Sequence, residues 1–149
     1  MAKTDAAKPA RTTTNDYARF YSISTRWSDN DMYGHVNNVA YYSFFDTAVN
    51  GILIDAGVLD PLASKTVGLV VETRCSYFAS LTYPDHIEVG VAVAHLGSSS
   101  VRYSIGVFRA GENLAAAQGE FTHVYVDRAT QAATPIPADV RAVLEDMRL

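Results

Sequence analysis

One segment restricts the fold of this chain more than any other. Residues 39–57, VAYYSFFDTAVNGILIDAG, contain no proline and no strict alternation of apolar and polar residues. The polar side chains recur at helical spacing on one narrow face: Ser43, Asp46, Thr47 and Asn50. A helix that is apolar over most of its circumference has to be buried. At ~1.5 Å per residue it would span about 28 Å, the width of a small domain. Asn37 or Asn38 can cap its start, and Gly57 its end.

The rest of the chain has the apolar–polar alternation that is typical of β-strands. A first strand is predicted between Tyr17 and Trp27, and further strand-like runs follow the helix at residues 65–81, 86–96, 99–109 and 112–127. Their short connections require an antiparallel meander. Residues 134–149 predict a short amphipathic helix. One long buried helix against one long antiparallel sheet is an α+β fold, in which the sheet wraps around the central helix.

The composition is that of a single globular domain. The 149 residues are 48% hydrophobic and 19% charged, which is typical of a chain with a real core. We assign residues 17–149 to this domain. Residues 1–16 have no periodic apolar face, so we expect a flexible N-terminal tail. The net charge is -4 and the basic residues are scattered, so no basic stripe is available to bind nucleic acid.

Several other classes of site and location are disfavoured. A lone cysteine, Cys75, cannot form an internal disulfide, and the four histidines lack metal-ligand spacing, so we expect no metal. The N-terminus has no apolar segment of the kind that a secretory signal needs. The most apolar long stretch carries three polar or acidic residues, Asp46, Asn50 and Asp55, and therefore does not predict a membrane span. We expect a cytoplasmic protein with no membrane association.

The convex face of the predicted sheet indicates self-association. With the helix on the concave face, apolar residues such as Val70, Ala92 and Phe108 are expected on the other side. Soluble monomers rarely expose a large apolar patch. We therefore expect a homo-oligomer.

Chemically useful side chains are concentrated in residues 29–38, DNDMYGHVNN, at the entrance to the helix. The first backbone N–H groups of a helix have no intrahelical partner and carry the positive end of its dipole. Such groups can stabilise an oxyanion or polarise a carbonyl. A carboxylate shortly before them can act as a base or a nucleophile on the same carbonyl. Gly34 would allow the sharp turn between the two.

Structural roles compete with these chemical ones. Asp and Asn before a helix are ordinary caps, and we expect Asp29 to have such a role. A histidine such as His35 in a turn is more often structural than catalytic. Asp46, inside an apolar helix, needs a partner, so it either faces the pocket or pairs with an arginine of the sheet. His123 and Cys75 are most simply packing residues.

The string RWSDNDMYGHVNNVAYYSFFD, residues 26–46, resembles the N-terminal signature of the 4-hydroxybenzoyl-CoA thioesterase-like acyl-CoA thioesterases of the hotdog superfamily. The similarity extends over about residues 18–147 and includes the hairpin sequence PDHIEVGVAVAHLGSSSVRYSIGVFR. It implies a hotdog fold and hydrolysis of an acyl-CoA to a free carboxylic acid and CoA. Coenzyme A is then part of the substrate, and no separate cofactor is implied.

The resemblance also implies roles for single residues. Asp31 would be the catalytic carboxylate, either as nucleophile or as general base, and the Asn38 backbone N–H would bind the thioester oxygen. His35 and Asn37 would help to arrange the site. The substrate-binding residues would be Gly34, Tyr41 and Phe45. The site in this family lies between two subunits, which implies a homodimer or a homotetramer.

A different class of function remains open at this stage. The hotdog fold also hosts proteins that bind a ligand without hydrolysing it, since a fold does not determine a function. The alternative is therefore a non-hydrolytic module that binds acyl-CoA or an acyl carrier. The intact Asp31 within GHVNN favours the enzyme. The sequence leaves open the length and aromaticity of the acyl group, CoA against acyl carrier protein, and which residues bind the CoA phosphates.

Overall fold

The computed structural model of the chain describes residues 9–149. Its strands and helices, in chain order, are β1 Arg19–Ser24, α1 Ala40–Asp55, β2 Thr66–Tyr77, β3 His86–Leu96, β4 Ser100–Arg109, β5 Ala117–Asp127 and α2 Ala138–Asp146. The predicted α+β class is confirmed. Within the described range, none of the helices has the length and apolarity needed to span a lipid bilayer.

The five strands form one antiparallel sheet in the order β1-β3-β4-β5-β2. Strands β3, β4 and β5 form the predicted meander, but β2 pairs with β5 and not with β3. The connection at residues 78–85 can extend over about 26 Å. Three strand spacings amount to only about 14 Å. This connection is therefore long enough to cross the end of the sheet. The expectation that a short connection places consecutive strands side by side is wrong for β2 and β3.

Helix α1 packs against the sheet through one continuous buried face. That face comprises Tyr41, Phe44, Phe45, Ala48, Val49, Gly51, Ile52 and Leu53. Gly51 lies directly on the Tyr21 ring of β1, and a Cβ atom would have no room there. A residue with a side chain at position 51 would push the helix away from the sheet at this point. The glycine thus explains why α1 lies so close to β1.

The helix begins slightly later than predicted, and its start is organised by Asn37. The Asn37 carbonyl accepts a hydrogen bond from the Ala40 N–H at 2.9 Å. Its side-chain Oδ1 accepts one from the Val39 N–H at 3.1 Å. Of the two predicted capping residues, Asn37 is therefore the one whose side chain satisfies a backbone donor. Gly57 adopts φ +76 after the last turn, as a C-terminal glycine should.

The convex face of the sheet differs from the prediction. Ala92 and Phe108 are buried there, at 4% and 1% exposure, in a small cluster with Tyr17. The Tyr17 ring lies over Gly90 and Gly106, which are cross-strand neighbours. The chain's own N-terminal segment therefore covers this apolar face. The argument for a homo-oligomer from exposure of Ala92 and Phe108 was wrong for that reason.

Part of the predicted flexible N-terminal tail, residues 1–16, makes polar contacts with the sheet. Residues 1–8 of that tail lie outside the described residues. Residues 9–16 contact the end of the β4–β5 hairpin: the Arg11 guanidinium donates to the Ala115 carbonyl at 2.9 Å, and the Thr12 N–H donates to Gln118 Oε1 at 2.7 Å. Gln118 Nε2 in turn donates to the Ala10 carbonyl. Because these contacts are polar, apolar periodicity could not indicate them.

Candidate active site

The predicted catalytic loop is a small hairpin that leads into α1. Asn30 and Val36 form an antiparallel bridge, and the Asp31 N–H donates to the His35 carbonyl at 2.9 Å. Gly34 closes the turn with φ +82, a conformation that side chains other than glycine rarely adopt. The predicted sharp turn at Gly34 is thus present.

A second loop holds this hairpin in place. Thr82 donates through its hydroxyl to the Gly34 carbonyl at 2.8 Å, and the Tyr83 N–H donates to Asn30 Oδ1 at 3.0 Å. The Val36 N–H donates to the Leu81 carbonyl at 2.8 Å. The β2–β3 connection therefore holds residues 30–36 in place.

Asp29 has the structural role that the sequence predicts. Its carboxylate is 4% exposed, and it accepts hydrogen bonds from the Arg26 N–H at 2.7 Å and from the Arg26 guanidinium at 2.9 Å. The Asp29 carbonyl accepts from the Asn37 N–H at 2.8 Å. A buried carboxylate requires such partners. Asp29 thus ties the start of the loop to the start of the helix.

Asp31 is placed differently from Asp29. Its side chain is only partly buried, and one oxygen, Oδ1, accepts a hydrogen bond from the Tyr33 N–H at 2.8 Å. The other oxygen has no hydrogen-bond partner among residues 9–149. The neighbouring His35 side chain is exposed. One carboxylate oxygen of Asp31 is therefore free to meet a ligand, although Asp31 is not among the residues that line the cavity described below.

The backbone N–H of Asn38 is the second reactive feature of the site. Among the residues that the structure describes, no atom accepts a hydrogen bond from it. The Asn38 carbonyl accepts a hydrogen bond from the Tyr77 hydroxyl at 2.9 Å. Burial raises the pKa of Tyr77, so this hydroxyl stays protonated and can donate. An unpaired N–H at the start of a helix is suited to bind an oxyanion.

Asn38 also lines a cavity at the start of α1. It has a volume of about 320 Å³ and is lined by Val36, Asn38, Tyr41, Tyr77, Phe78, Ala79 and Ser80. The Tyr41 and Tyr77 rings meet edge-to-face with their centroids 5.0 Å apart. Burial raises the pKa of Tyr41 to about 12. Both rings are therefore neutral, and they make a largely apolar wall next to a polar mouth.

The structure gives the positions of Phe45 and Asp46 in the single chain. Phe45 has no exposed surface, belongs to the main core and is not among the residues that line the cavity, so its role in substrate binding stays a prediction. Asp46 neither faces the pocket nor pairs with an arginine. It is exposed on α1, where its Oδ1 accepts a hydrogen bond from Asn50 at 3.0 Å.

Among the described residues, neither the cysteine nor the metal-binding residue types are arranged for catalysis. Burial raises the pKa of Cys75 to about 11, so its thiol is protonated at neutral pH and is a poor nucleophile. It packs against the core, as predicted. Among residues 9–149, no group of three or more His, Cys, Asp or Glu side chains is arranged to hold a metal ion.

Sequence reasoning missed the contribution of the β2–β3 connection. Tyr77 and the following residues 78–80 form one wall of the cavity, although they are about forty positions away from the motif. The sequence near them carries no motif. Only the pairing of β2 with β5, which brings the end of β2 beside the start of α1, could have indicated this wall.

Comparison with known proteins agrees with this geometry. The sequence model of the thioesterase-like superfamily matches residues 25–144. This chain belongs to the thioesterase-like superfamily. The resemblance noted in the sequence is thereby confirmed, and the catalytic loop and most of the sheet lie within the matched region.

Solved structures of similar proteins extend the comparison to the fold. The PA5185 protein from Pseudomonas aeruginosa strain PAO1 is 47% identical, with a TM-score of 0.91 over 93% of this chain and 97% of that chain. The gentisyl-coenzyme A thioesterase BH1999 is 25% identical, with a TM-score of 0.75 over 85% and 99% of the two chains. A 1,4-dihydroxy-2-naphthoyl-CoA thioesterase from Synechocystis is 14% identical, with a TM-score of 0.77 over 86% and 96%. The hotdog fold is confirmed.

A sequence relative has no assigned activity. The uncharacterized protein YsmA from Bacillus subtilis (strain 168) is 26% identical over 98 residues. The match spans 66% of this chain and 63% of the length of YsmA. It therefore adds no information about substrate.

Proposed function

We propose that this thioesterase-like protein hydrolyses the thioester of an acyl-CoA to a free carboxylic acid and CoA. The observation that carries the proposal is the Asn38 N–H, which has no acceptor among the described residues and borders a cavity at the start of α1. The Asp31 carboxylate belongs to the loop that leads directly into this helix. An acyl-transfer site requires a hydrogen-bond donor that stabilises the oxyanion and a carboxylate that acts as base or nucleophile.

The reaction follows from these two groups. The thioester oxygen accepts a hydrogen bond from the Asn38 N–H, and this withdraws charge from the carbonyl carbon. Asp31 then either adds to that carbon, giving a mixed anhydride that water cleaves, or removes a proton from an attacking water. The CoA thiolate leaves in both cases. Because a thiol has a pKa of about 8.5, its thiolate leaves without a strong general acid.

The remaining residues position these groups. Gly34 gives the turn that returns the chain from Asp31 to the helix, and Asn37 orders the first helical turn beside the Asn38 N–H. His35, which is exposed, would help to arrange the site. Tyr41 and Tyr77 offer the acyl group a wall of two neutral rings. The acyl carbons nearest to the thioester therefore lie against aromatic surface.

We further propose that the protein acts as a homodimer or homotetramer. Strand β2 lies at the edge of the sheet, and it exposes three apolar side chains: Leu69 at 40%, Val70 at 46% and Val71 at 60%. An unprotected apolar edge strand favours pairing with another strand. The same strand carries Tyr77 at the candidate site. A second copy paired here would lie close to the acyl cavity, and sedimentation velocity of the wild type against Val71→Lys tests this.

Thiol release from a panel of acyl-CoA esters tests the proposed reaction. We expect Asp31→Asn to lower kcat by about 10²- to 10⁴-fold while the Tyr33 N–H keeps an acceptor and the loop stays folded. Asp60→Asn is a matched control, because the Asp60 carboxylate also accepts an N–H two residues further on, from Leu62 at 3.0 Å. It should retain wild-type turnover. Full activity of Asp31→Asn would contradict the assignment.

The oxyanion donor can be removed separately. Asn38→Pro deletes the N–H, and because that group has no protein acceptor, the change removes no hydrogen bond from the fold; proline is also tolerated at helix starts. Asn38→Ala changes the same side chain but keeps the N–H. We expect kcat of the proline variant to be about 10²-fold below that of the alanine variant. Equal kcat values would exclude this N–H as the oxyanion donor.

A non-hydrolytic binding module predicts a different result from the same panel. It would bind acyl-CoA in calorimetry and release no thiol from any ester, with wild type and Asp31→Asn behaving alike. Hydrolysis by the wild type alone would exclude it.

A further inference from the structure

Arg109, the last residue of β4, binds two segments that lie outside the sheet. Its Nε donates to Asp85 Oδ2 at 3.2 Å, and its Nη2 donates to the Ser80 carbonyl at 3.1 Å. These two contacts bracket residues 80–85, the second part of the β2–β3 connection. The remaining nitrogen, Nη1, donates to Glu112 Oε1 at 3.1 Å, in the turn that follows β4. One side chain therefore holds both ends of residues 80–85.

Residues 80–85 depend on such an attachment, because they form neither a helix nor a strand. Inside the segment, the Asp85 N–H donates to the Thr82 carbonyl at 2.8 Å. The Thr82 N–H donates at 3.0 Å to Asp85 Oδ2, the same oxygen that accepts from Arg109. The position of Thr82 is therefore coupled to the guanidinium through a single carboxylate oxygen.

The hydrogen bonds continue from this segment into the loop of the candidate site. The Thr82 hydroxyl donates to the Gly34 carbonyl at 2.8 Å. The Val36 N–H donates to the Leu81 carbonyl at 2.8 Å. These two contacts join the segment to the stretch of chain between Asp31 and α1. The path from the guanidinium to this stretch is unbroken.

A second path leads from the guanidinium to the cavity. Ser80, whose carbonyl accepts from Arg109, is one of the residues that line the cavity at the start of α1. Arg109 is not among those lining residues. It would therefore act on a bound acyl group only through the cavity wall.

An arginine is suited to this arrangement, because its guanidinium is planar and presents several N–H donors in fixed directions. It can hold two acceptors, the Asp85 carboxylate and the Ser80 carbonyl, at one separation. A lysine ammonium is a point charge on a flexible chain and cannot fix that separation. The ion pair is partly exposed, at 39% for the Arg109 side chain and 20% for that of Asp85, and exposed pairs add little to stability. We therefore expect Arg109 to affect the geometry of the segment more than the stability of the fold.

We propose that Arg109 is a positioning residue, which holds residues 80–85 in the conformation that shapes the cavity wall and supports the turn after Asp31. This inference deepens the proposed function and rests on it for its kinetic consequence. The position of the segment is measured without turnover.

Amide hydrogen exchange followed by NMR tests whether Arg109 holds the segment. The Val36 and Tyr83 N–H groups are suitable reporters, because both form hydrogen bonds between the segment and the loop before α1. We expect both to exchange about tenfold faster in Arg109→Lys, which keeps the positive charge and loses the contact with two acceptors. The Arg128 N–H, which donates to the Lys65 carbonyl, is the reference for global opening and should exchange at the wild-type rate.

Glu112→Gln is the matched control, because it removes an ion pair of the same guanidinium that lies outside the segment. It should leave exchange at Val36 and Tyr83 unchanged. The proposal is overturned if these two amides exchange at the wild-type rate in Arg109→Lys. It is equally overturned if the reference amide accelerates as much as they do, since the effect would then be a general loss of stability.

Kinetics tests the consequence for the site. Arg109→Lys should lower kcat for acyl-CoA hydrolysis about tenfold through misplacement of the site. Thr82→Val is nearly isosteric and removes the hydroxyl that donates to Gly34, so a similar loss is expected. Because both changes interrupt one path, the double variant should lose little more than the weaker of the two single variants. A loss equal to the product of the two single losses would show that the residues act separately, and would contradict the positioning role.

Failure of this inference and failure of the proposed function give different results. If the wild type releases no thiol from any ester, the proposed function is wrong, and the exchange rates still decide whether Arg109 holds the segment. If the wild type is active and Arg109→Lys keeps its kcat, the positioning role is wrong and the proposed function stands.

Discussion

Replacing Tyr17 tests whether its ring covers the convex face of the sheet. Tyr17 is 6% exposed; its ring meets Phe108 edge-to-face at 5.7 Å, and its hydroxyl shares a 2.8 Å hydrogen bond with the Thr12 hydroxyl. Truncating a buried aromatic residue to alanine costs about 3–5 kcal/mol. The ring packs on Gly90 and Gly106. These glycines have no side chains that could move into the cavity left by its removal. We therefore expect Tyr17→Ala to lower the free energy of unfolding by about 3–4 kcal/mol.

Urea unfolding followed by circular dichroism at one fixed protein concentration measures this change. With a denaturant slope of about 2 kcal/mol per M, the midpoint should fall by about 1.5–2 M. For a chain of this length the melting temperature should fall by about 10 °C. Tyr17→Phe, which keeps the ring and loses the hydrogen bonds of the hydroxyl, should cost about 1 kcal/mol. A change of less than about 0.5 kcal/mol for Tyr17→Ala, the range of ordinary surface substitutions, would refute the reasoning and show that the ring does not cover the sheet in solution.

Three further outcomes are expected. Burial lowers the pKa of His123 to about 4 from about 6.5 in the unfolded chain. Between these pH values the unfolded state binds the extra proton, so stability falls as the pH falls, by up to about 1.4 kcal/mol per pH unit. The urea midpoints at pH 7 and pH 5 should converge in His123→Phe, and an unchanged pH dependence would contradict the assignment. Gly34→Ala and Gly111→Ala both place a side chain at positive φ, +82 and +86, in open space, so each should lower the free energy of unfolding by about 1–2 kcal/mol. Only Gly34→Ala should also lower kcat. Equal losses of kcat would show that the turn at Gly34 has no special role. Tyr77→Phe removes the hydrogen bond to the Asn38 carbonyl. We expect kcat to fall about fivefold, which corresponds to about 1 kcal/mol, with almost no change in the thermal midpoint. A wild-type kcat would contradict a positioning role for this hydroxyl.

The elements with clean periodicity were predictable from the sequence. Strand β3, His86–Leu96, was expected at the same boundaries, because its apolar residues alternate without interruption between two turn signals. Helix α1 was expected because a long apolar segment without proline has few other ways to bury itself. The sharp turn at Gly34 before α1 was also expected, since glycine lies there among Asp and Asn residues that favour turns.

Features that depend on which residues become neighbours across the sheet were not predictable. Gly90 and Gly106 look like two unrelated interruptions of separate strands, and only the β3–β4 register brings them together as a flat seat for Tyr17. The same limit applies to Tyr77, which reaches the start of α1 from the opposite edge of the sheet. Which face of α1 points at the sheet was not predictable either, because a helix that is apolar almost all the way round gives little indication of it.

The hydrogen bond from Tyr77 to the Asn38 carbonyl has a thermodynamic consequence. It joins the free edge of the sheet to the peptide unit that follows the unpaired N–H, so any event that shifts β2 also changes the geometry at the helix start. Linkage is reciprocal: if pairing of two β2 edges raises the affinity for substrate by some factor, substrate raises the affinity of the two copies for each other by the same factor. The apparent KM would then depend on protein concentration, and dilution alone would act as an inhibitor.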